Sequence, residues 1–221
     1  MSKQKQIFLD SEGDAWFRRN KSGVDKRSME SDPLFDILQR VLPEKTQQAD
    51  ASSWKILEIG CSSGNRILNI QSYFGVSVAG VEPSAEAVEE ARRLGLDVKR
   101  STADQLPFEN KSFDLVIFGF CLYLCDVDEL FKIASEAHRV LKDSAWLLIN
   151  DFFSQGLVQR DYAHRPGVKS SKMDYSRMFS WHPAYEVYHH QLLGHVGQEF
   201  IDDPQEWMAI TLLRKFVDQR T

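Results

Sequence analysis

The sequence has few cysteines, no long apolar run and no excess of basic residues, and each shortage argues against a class of protein. Its three cysteines, Cys61, Cys121 and Cys125, are too few for a disulfide framework and match no zinc-ligand spacing. No apolar stretch approaches the roughly 18 residues that a membrane span needs. The acidic stretch "LDSEGD" interrupts the amino-terminal region before a signal-peptide core could form. We therefore expect a cytoplasmic protein with no metal and no membrane association.

Charge and length narrow the class further. The formal net charge of -5 lacks the basic excess expected of a general nucleic-acid binder and leaves only a local basic patch as an alternative. A chain of 221 residues, 43% of them hydrophobic, suits one domain with a small appendage. The sequence does not indicate an oligomeric state.

Residues 1–50 read as a helical amino-terminal piece and residues 51–221 as the main domain. In "DPLFDILQRVLP", Asp32 suits an N-cap and Pro33 the first helical position, and the apolar residues that follow recur at helical spacing. Pro43 should end this helix, and residues 44–53 read as a solvated link. The amphipathic helix over 33–42 must therefore pack on the main domain.

From Trp54 onward, strand and helix patterns alternate. The predicted strands are "WKILEI", "VSVAGVE", "LDVKRS", "FDLVIFGF" and "AWLLINDF". Ser84 can cap one intervening helix, and Asp126 with Glu129 resembles a capping box for another. Such alternation predicts an α/β fold with a parallel sheet. "YEVYHHQLLGHV" and "EWMAITLLRKF" lack a helix between them and predict an antiparallel pair at the end of the sheet.

Ligands of open parallel sheets bind beyond the carboxyl ends of the strands. Glycines at 60 and 64 follow the first strand, Glu82 ends the second, and Asp104 follows the third. Glu82 is suited to accept hydrogen bonds from ribose hydroxyls, and Asp104 from an amino group such as that of adenine. A dinucleotide is the alternative, but Asn65 stands where the fingerprint G-x-G-x-x-G requires its third glycine.

Four stretches, "LEIGCSSGNRI", "GVEPS", "ADQLPFENKSFDLVIFGFCLYL" and "AHRVLKDSAWLLIND", resemble in order and spacing the motifs of class I S-adenosylmethionine-dependent methyltransferases. The resemblance covers roughly residues 54–152. It implies a Rossmann-like, doubly wound, seven-stranded sheet whose last strand is antiparallel and inserted beside the fifth. It also implies S-adenosyl-L-methionine as the cofactor, with the amino-terminal helices acting as a lid. The alternative for Trp16 and Phe17 is that they simply cover one face of the sheet.

The resemblance also implies which residues surround the cofactor. Its methionine part would lie near the first turn, its ribose on Glu82, its adenine amino group on Asp104, and its adenine ring near Gln105 and Leu106. The full implied set is Glu58, Gly60, Cys61, Ser62, Gly64, Glu82, Pro83, Asp104, Gln105, Leu106 and Gly119. This chain departs from the family pattern twice, with Ser62 in place of the middle glycine and "LKDSAW" in place of the usual Lys-Pro-Gly-Gly turn.

The substrate should lie outside the recognised half, mainly in residues 152–206. The long connection 152–183 is rich in aromatic and cationic residues, and long ordered connections tend to be functional. Its candidates for substrate binding are Tyr162, Arg165, Lys169 and Tyr175, and the candidates for catalysis are His195, His164 and Tyr123. We expect methyl transfer to a small polar molecule, such as a sugar or phosphorylated metabolite, with O-methylation preferred because of the histidines. The alternatives are a non-catalytic cofactor-binding module and a nicotinamide-dependent oxidoreductase.

Overall fold

A computed structural model describes residues 3–24, 28–42, 53–195 and 199–216. Seven strands form one sheet in the order β3-β2-β1-β4-β5-β9-β8, and two further strands form a separate hairpin. The strands are β1 (Lys55–Ile59), β2 (Ser77–Glu82), β3 (Asp97–Arg100), β4 (Phe113–Gly119), β5 (Leu141–Phe152), β6 (Val158–Asp161), β7 (Lys169–Lys172), β8 (Tyr185–Gly194) and β9 (Trp207–Lys215). Pro43 and most of the predicted link fall outside the described residues.

The sheet confirms the predicted topology. Strands β1 to β5 are parallel, and β9 lies antiparallel between β5 and β8. The order reverses at β1 and β4, so the carboxyl ends of these two strands flank the point where ligands bind in such sheets. The fold is therefore Rossmann-like, as the sequence predicts.

Both faces of the sheet are buried, which explains the nearly continuous apolar strands. Leu57, Val116 and Phe118 pack into one core cluster, whereas Ile56 and Leu115 pack into another on the opposite face. The alternation follows from the two-residue period of a strand.

The helices around the sheet are α1 (Lys3–Ile7), α2 (Gly13–Val24), α3 (Phe35–Val41), α4 (Asn65–Phe74), α5 (Ala85–Arg93), α6 (Leu130–Val140) and α7 (Arg177–Ser180). Ser84 caps α5 as predicted, because its side chain accepts a hydrogen bond from the Ala87 amide. Gly95 follows this helix with a φ of +80°, a conformation that favours glycine. No described helix is both long and apolar enough to cross a membrane.

The predicted capping box at Asp126 is wrong. A short 3-10 turn, Val127–Glu129, precedes α6, and Asp126 makes no side-chain cap to it. Its carboxylate instead accepts hydrogen bonds from the backbone of Gln4 and Lys5. Asp126 therefore joins α1 to the loop that follows β4.

Residues 3–24 form a continuous helical segment across the carboxyl ends of the strands, with a π-helical turn over Phe8–Glu12. Asp14 accepts hydrogen bonds from the Ser84 hydroxyl at 2.6 Å and the Glu86 amide at 3.1 Å. Gln4 donates to the carbonyl groups of Leu124 and Lys169. We call residues 3–24 the N-terminal segment; its contacts reach three loops of the main domain.

Candidate functional site

Two clefts open at the carboxyl ends of the parallel strands, beneath the N-terminal segment. The first cleft has about 820 Å³ of free space. It is lined from the main domain by Glu82, Pro83, Thr102, Ala103 and Asp104, and from the N-terminal segment by Lys5, Phe8, Gly13 and Trp16. The second cleft, of about 1430 Å³, extends from the turn after β1 to the end of β5 and beyond. Trp16, Gly60 and Phe120 line both clefts, so the two spaces adjoin.

The turn after β1 needs its first glycine and uses a serine in an unusual conformation. Gly60 has a φ of +78°, and a Cβ there would lie 2.5 Å from the Cβ of Cys121. Ser62, in place of the family's middle glycine, has a φ of +50° and donates its amide to Glu82 Oε2 at 3.0 Å. Its Oγ is buried without a hydrogen-bond partner among the described residues. The turn thus places a free polar atom at the second cleft, which Ser62 lines.

Not every residue of this turn reaches a cleft. Glu58, Cys61 and Gly119 line the second cleft together with Gly60 and Ser62. Gly64 lines neither cleft: it precedes α4 with a φ of +81°, and a Cβ there would lie 2.5 Å from Cδ1 of Leu96. Its role in the structure is conformational.

Glu82 lies at the end of β2 and is almost fully buried. Its two oxygens accept the amides of Ser62 at 3.0 Å and Ser84 at 2.9 Å. Burial raises the pKa of Glu82 from 4.5 to about 7, against the effect of these two hydrogen bonds. Ionised Glu82 is therefore destabilised by its burial at the first cleft, and an additional hydrogen-bond donor would stabilise it.

This raised pKa predicts how stability changes with pH. Because the folded-state pKa exceeds the unfolded value, the contribution of Glu82 to the free energy of unfolding is complete below about pH 4.5 and is lost as pH rises through about 7. The loss amounts to roughly 3 kcal/mol for a shift of this size. We expect Glu82→Gln to flatten this part of the profile in urea unfolding measured between pH 5 and pH 8. An unchanged slope in the variant would refute the assignment.

Asp104 is buried at the opposite side of the first cleft and is already well paired. Oδ2 accepts hydrogen bonds from Lys5 at 2.6 Å and Lys132 at 2.9 Å, and Oδ1 accepts the Thr102 hydroxyl at 2.7 Å. Burial disfavours the charged carboxylate, but these bonds outweigh it and lower the pKa of Asp104 to about 2. Lys5 thereby links the N-terminal segment directly to this residue.

Gln105 and Leu106 do not line the first cleft, contrary to the expectation from the resemblance. Leu106 is buried in the core, and its amide donates to Glu136 at 2.8 Å. The carbonyl of Gln105 accepts the Ser101 hydroxyl. Thr102 and Ala103 occupy the cleft wall instead.

The apolar wall of the first cleft was not predicted from the sequence. The wall comes from the loop after β4 and from α6, and consists of Cys121, Leu124, Cys125 and Ile133. Asp126 adds a buried Oδ2 that has no hydrogen-bond partner among the described residues. An apolar slot with carboxylates at its edge is suited to a flat heterocycle that carries a donor group.

A buried ion cluster forms one wall of the second cleft, and it too was not predicted. Arg66, near the start of α4, lies 2.7 Å from Asp32 and 2.5 Å from Glu58. Burial disfavours its charge, but the two carboxylates outweigh that effect and raise the pKa of Arg66. The cluster ties the residues before α3 to β1 and α4.

All three catalytic candidates line the second cleft. The Nδ1 of His195 lies 3.8 Å from Glu206 Oε2, and its ring stacks on Phe120 with centroids 5.9 Å apart. His164 is exposed and packs edge-on against Tyr162. Tyr123 accepts a hydrogen bond from Trp16 Nε1 at 3.1 Å, and burial raises its pKa well above the usual range. Tyr123 is therefore a neutral phenol at physiological pH and cannot act as a base.

Of the four predicted substrate residues, only Tyr162 lines the second cleft; its hydroxyl accepts a hydrogen bond from Arg19 at 3.1 Å. Tyr175 is buried and donates to the Ser171 carbonyl. The Lys169 ammonium pairs with Asp161 on the neighbouring strand, and Arg165 is exposed in the β6–β7 turn. The β6–β7 hairpin turns Arg165 and Lys169 outward, and Tyr175, which follows the hairpin, packs into the core.

Comparisons with known proteins agree with this geometry. Residues 56–144 match the family model described as "Methyltransferase domain". An uncharacterized protein of Haemophilus influenzae is 32% identical over 110 residues, 46% of this chain and 44% of that protein. The tRNA N(3)-methylcytidine methyltransferase Mettl2 of Drosophila melanogaster is 27% identical over 139 residues, 57% of this chain and 43% of that enzyme. The chain thus spans less than half the length of these relatives.

Among solved structures, the 1,6-didemethyltoxoflavin-N1-methyltransferase of Burkholderia thailandensis, with bound S-adenosylhomocysteine, superposes with a TM-score of 0.70 at 15% identity. The match covers 96% of this chain and 88% of that one. Residues 56–144 thus match a methyltransferase domain, on a fold that the chain shares with solved S-adenosylmethionine-dependent methyltransferases. These matches support S-adenosylmethionine as the cofactor, since the Burkholderia enzyme holds S-adenosylhomocysteine, the demethylated form of this cofactor. Further relatives are named as a C-methyltransferase and an O-methyltransferase, so the domain alone does not define the acceptor atom.

Proposed function

We propose that this methyltransferase transfers the methyl group of S-adenosylmethionine to a small molecule, with a hydroxyl oxygen as the preferred acceptor. The observation that carries the proposal is the junction of the two clefts at Trp16, Gly60 and Phe120. A cofactor with its adenine in the first cleft and its methionine end near Ser62 would present its methyl group at this junction to an acceptor in the second cleft. Alignment of the two is the main requirement of this chemistry.

The residues present fit the cofactor. Glu82, whose two oxygens accept only two amides, has capacity to accept the ribose hydroxyls. The apolar slot beside Asp104 and Asp126 suits adenine, and the unpartnered Oγ of Ser62 suits the polar methionine end. The bound cofactor supplies a methyl group already activated by its positively charged sulfur.

The residues of the protein must exclude water, position the acceptor and accept its proton. The N-terminal segment lies over both clefts and would exclude water, and Trp16 holds the Tyr123 hydroxyl in place. His195 would accept the proton of an acceptor hydroxyl, because Glu206 faces its Nδ1 and leaves Nε2 for the cleft. This arrangement supports O-methylation over transfer to an amine, which needs no strong base.

The lining of the second cleft also bears on the class of substrate. Arg66 is the only lysine or arginine among its described lining residues, and it is paired with two carboxylates. A phosphorylated metabolite would lack a cation there, so an uncharged acceptor is favoured. The net charge of -5 further favours a small molecule over nucleic acid. We place the reaction in the cytoplasm, since free thiols at all three cysteines suit a reducing compartment.

Two measurements test the proposal. Calorimetry should detect S-adenosylhomocysteine binding, and Glu82→Ala should weaken it by about 1 to 3 kcal/mol, as expected for lost hydrogen bonds to a ligand. Incubation with S-adenosylmethionine carrying a deuterated methyl group and a metabolite extract should yield a labelled product. Binding without any labelled product would indicate a non-catalytic module. Stabilisation by NADH but not by S-adenosylhomocysteine would indicate an oxidoreductase.

A further inference from the structure

Asn150 is a buried polar residue that the fold does not use. It lies near the end of β5, in register with Gly119 of β4 and Ile210 of β9, and is 2% exposed. Its Oδ1 has no hydrogen-bond partner among the described residues. Buried polar groups are nearly always hydrogen-bonded, so an unpartnered amide at the end of a central strand indicates a ligand.

The position of Asn150 identifies which cleft the ligand occupies. Side chains alternate along a strand, so Asn150 and Phe152 lie on one face of β5 and Asp151 on the other. Asn150 and Phe152 line the second cleft, whereas Asp151 accepts the Leu122 amide at 2.7 Å. The neighbouring Gly119 also lines this cleft, and Phe120, which follows it, lines both. Asn150 is therefore beside the junction where donor and acceptor would meet.

The surroundings of Asn150 are aromatic. Phe120, Tyr123 and Phe152 pack together with ring centroids 4.7 to 5.4 Å apart, and the ring of His195 lies against Phe120 and Phe152. Phe120 has a φ of +62°, a backbone conformation that is rare for a bulky residue and that recurs at functional sites. An aromatic wall beside this polar group is suited to a flat ring.

We propose that the second cleft takes an uncharged, planar aromatic or heteroaromatic molecule whose O–H or N–H is held by Asn150 Oδ1. The inference rests on the proposed function. In the reaction, the acceptor oxygen or nitrogen gains the methyl carbon as its bond to the cofactor's sulfur breaks and a neutral thioether leaves. In the bound substrate this O–H or N–H donates to Asn150 Oδ1; as the new bond to carbon forms, the proton leaves its hydrogen bond to Asn150 and passes to His195, which also lines the second cleft. Asn150 positions the acceptor and takes no proton.

Stability provides a test that does not depend on activity. Asn150→Leu keeps the branched shape of the side chain and removes an amide whose Oδ1 is unpartnered among the described residues. The larger methyl groups face the second cleft, which has room for them, so the melting temperature should not fall. Thr211→Val is the matched control, because Thr211 is equally buried but bonds His190 Nδ1 at 2.8 Å; it should lower the melting temperature. A fall in Asn150→Leu as large as that of the control would show a structural role and overturn the proposal.

Binding tests the substrate class in the protein saturated with S-adenosylhomocysteine. The probes are 7-hydroxycoumarin, indole and 8-hydroxyquinoline, each with its methylated counterpart, and glucose 6-phosphate as an anionic competitor. Their binding is measured by ligand-observed NMR. We expect at least one unmethylated aromatic probe to bind at least tenfold more tightly than its methylated counterpart. Asn150→Leu should abolish that preference. The affinity of the variant for S-adenosylhomocysteine should stay within twofold of the wild-type value. Binding of glucose 6-phosphate alone, no aromatic binding, or an undiminished preference in the variant would overturn the inference. Wild-type protein that fails to bind S-adenosylhomocysteine would instead refute the proposed function.

Discussion

Replacing Arg66 with methionine is expected to lower the free energy of unfolding by about 3–5 kcal/mol, the usual cost of removing one partner from a buried ion cluster. Asp32 and Glu58 are both nearly fully buried, and the guanidinium contacts each of them. The variant would leave two carboxylates in a low-dielectric environment without their shared cation. In a chain of this length the melting temperature should fall by roughly 10 °C.

The control for Arg66 is an arginine with a solvated partner. Arg93 pairs with Glu89 one turn away on α5, and both side chains are about two-thirds exposed. Arg93→Met should therefore change stability by no more than about 0.5 kcal/mol. Adding Asp32→Asn and Glu58→Gln to Arg66→Met should recover part of the lost stability, because the cluster then contains no buried charge. Equal losses for the Arg66 and Arg93 variants would contradict this account.

The sheet could be predicted because its evidence is local. Each parallel strand is a short apolar run bounded by turn residues, and the helices between them have their own caps, such as Ser84. The final pair, β8 and β9, follows from the absence of a helix between two strand patterns. These signals depend on neighbours within a few residues, which a sequence displays directly.

The parts of the site that were missed depend on contacts between residues far apart in the chain. The capping-box pattern at Asp126 is correct as a pattern, but α1, over 100 residues earlier, supplies the amides that it accepts. Nothing in the sequence around Arg66 distinguishes it from other helical arginines, because its partner Asp32 is brought beside it only by the fold. Asn150 looks like a break in an apolar strand, and its lack of a partner is visible only once its surroundings are known.

Predictions from residue type were wrong where the same side chain is compatible with both a binding site and the core. Tyr175 lies in an aromatic and cationic stretch that suggested substrate binding, yet its ring is buried and its hydroxyl is satisfied by Ser171. Leu106 holds the position that the resemblance implies for the adenine ring, but it points into the core. For amphipathic residues such as tyrosine, the direction of the side chain is set by packing rather than by composition.

Substituting alanine for Gly13 is expected to weaken S-adenosylhomocysteine binding by roughly 2–3 kcal/mol, which corresponds to about 30- to 150-fold in Kd. We propose that the N-terminal segment is a lid, with Lys5, Phe8 and Trp16 enclosing the first cleft. The segment docks closely on the main domain at Gly13, where a Cβ would lie 3.1 Å from the Ser84 amide nitrogen; it would also lie 2.8 Å from the Phe8 carbonyl in the segment's own π-helical turn. The backbone of Gly13 is helical, with a φ of -56°, so alanine introduces a steric clash but no backbone strain. Loss of docking should remove the apolar cover from the cofactor.

Gly23 provides the control on the same helix, because a Cβ there meets nothing within 4 Å. Both substitutions raise helix propensity by a similar amount, about 1 kcal/mol, so only the contact differs between them. Gly23→Ala should bind S-adenosylhomocysteine like the wild type in calorimetry, and differential scanning fluorimetry should show a small or no loss of melting temperature for either variant. If Gly13→Ala lowers the melting temperature by many degrees but leaves the Kd unchanged, the segment covers the sheet as ordinary packing. If Gly13→Ala raises the Kd of S-adenosylhomocysteine while the melting temperature stays unchanged, the segment acts as a lid on the cofactor. Docking of the segment then stabilises the bound ligand and contributes little to the stability of the fold.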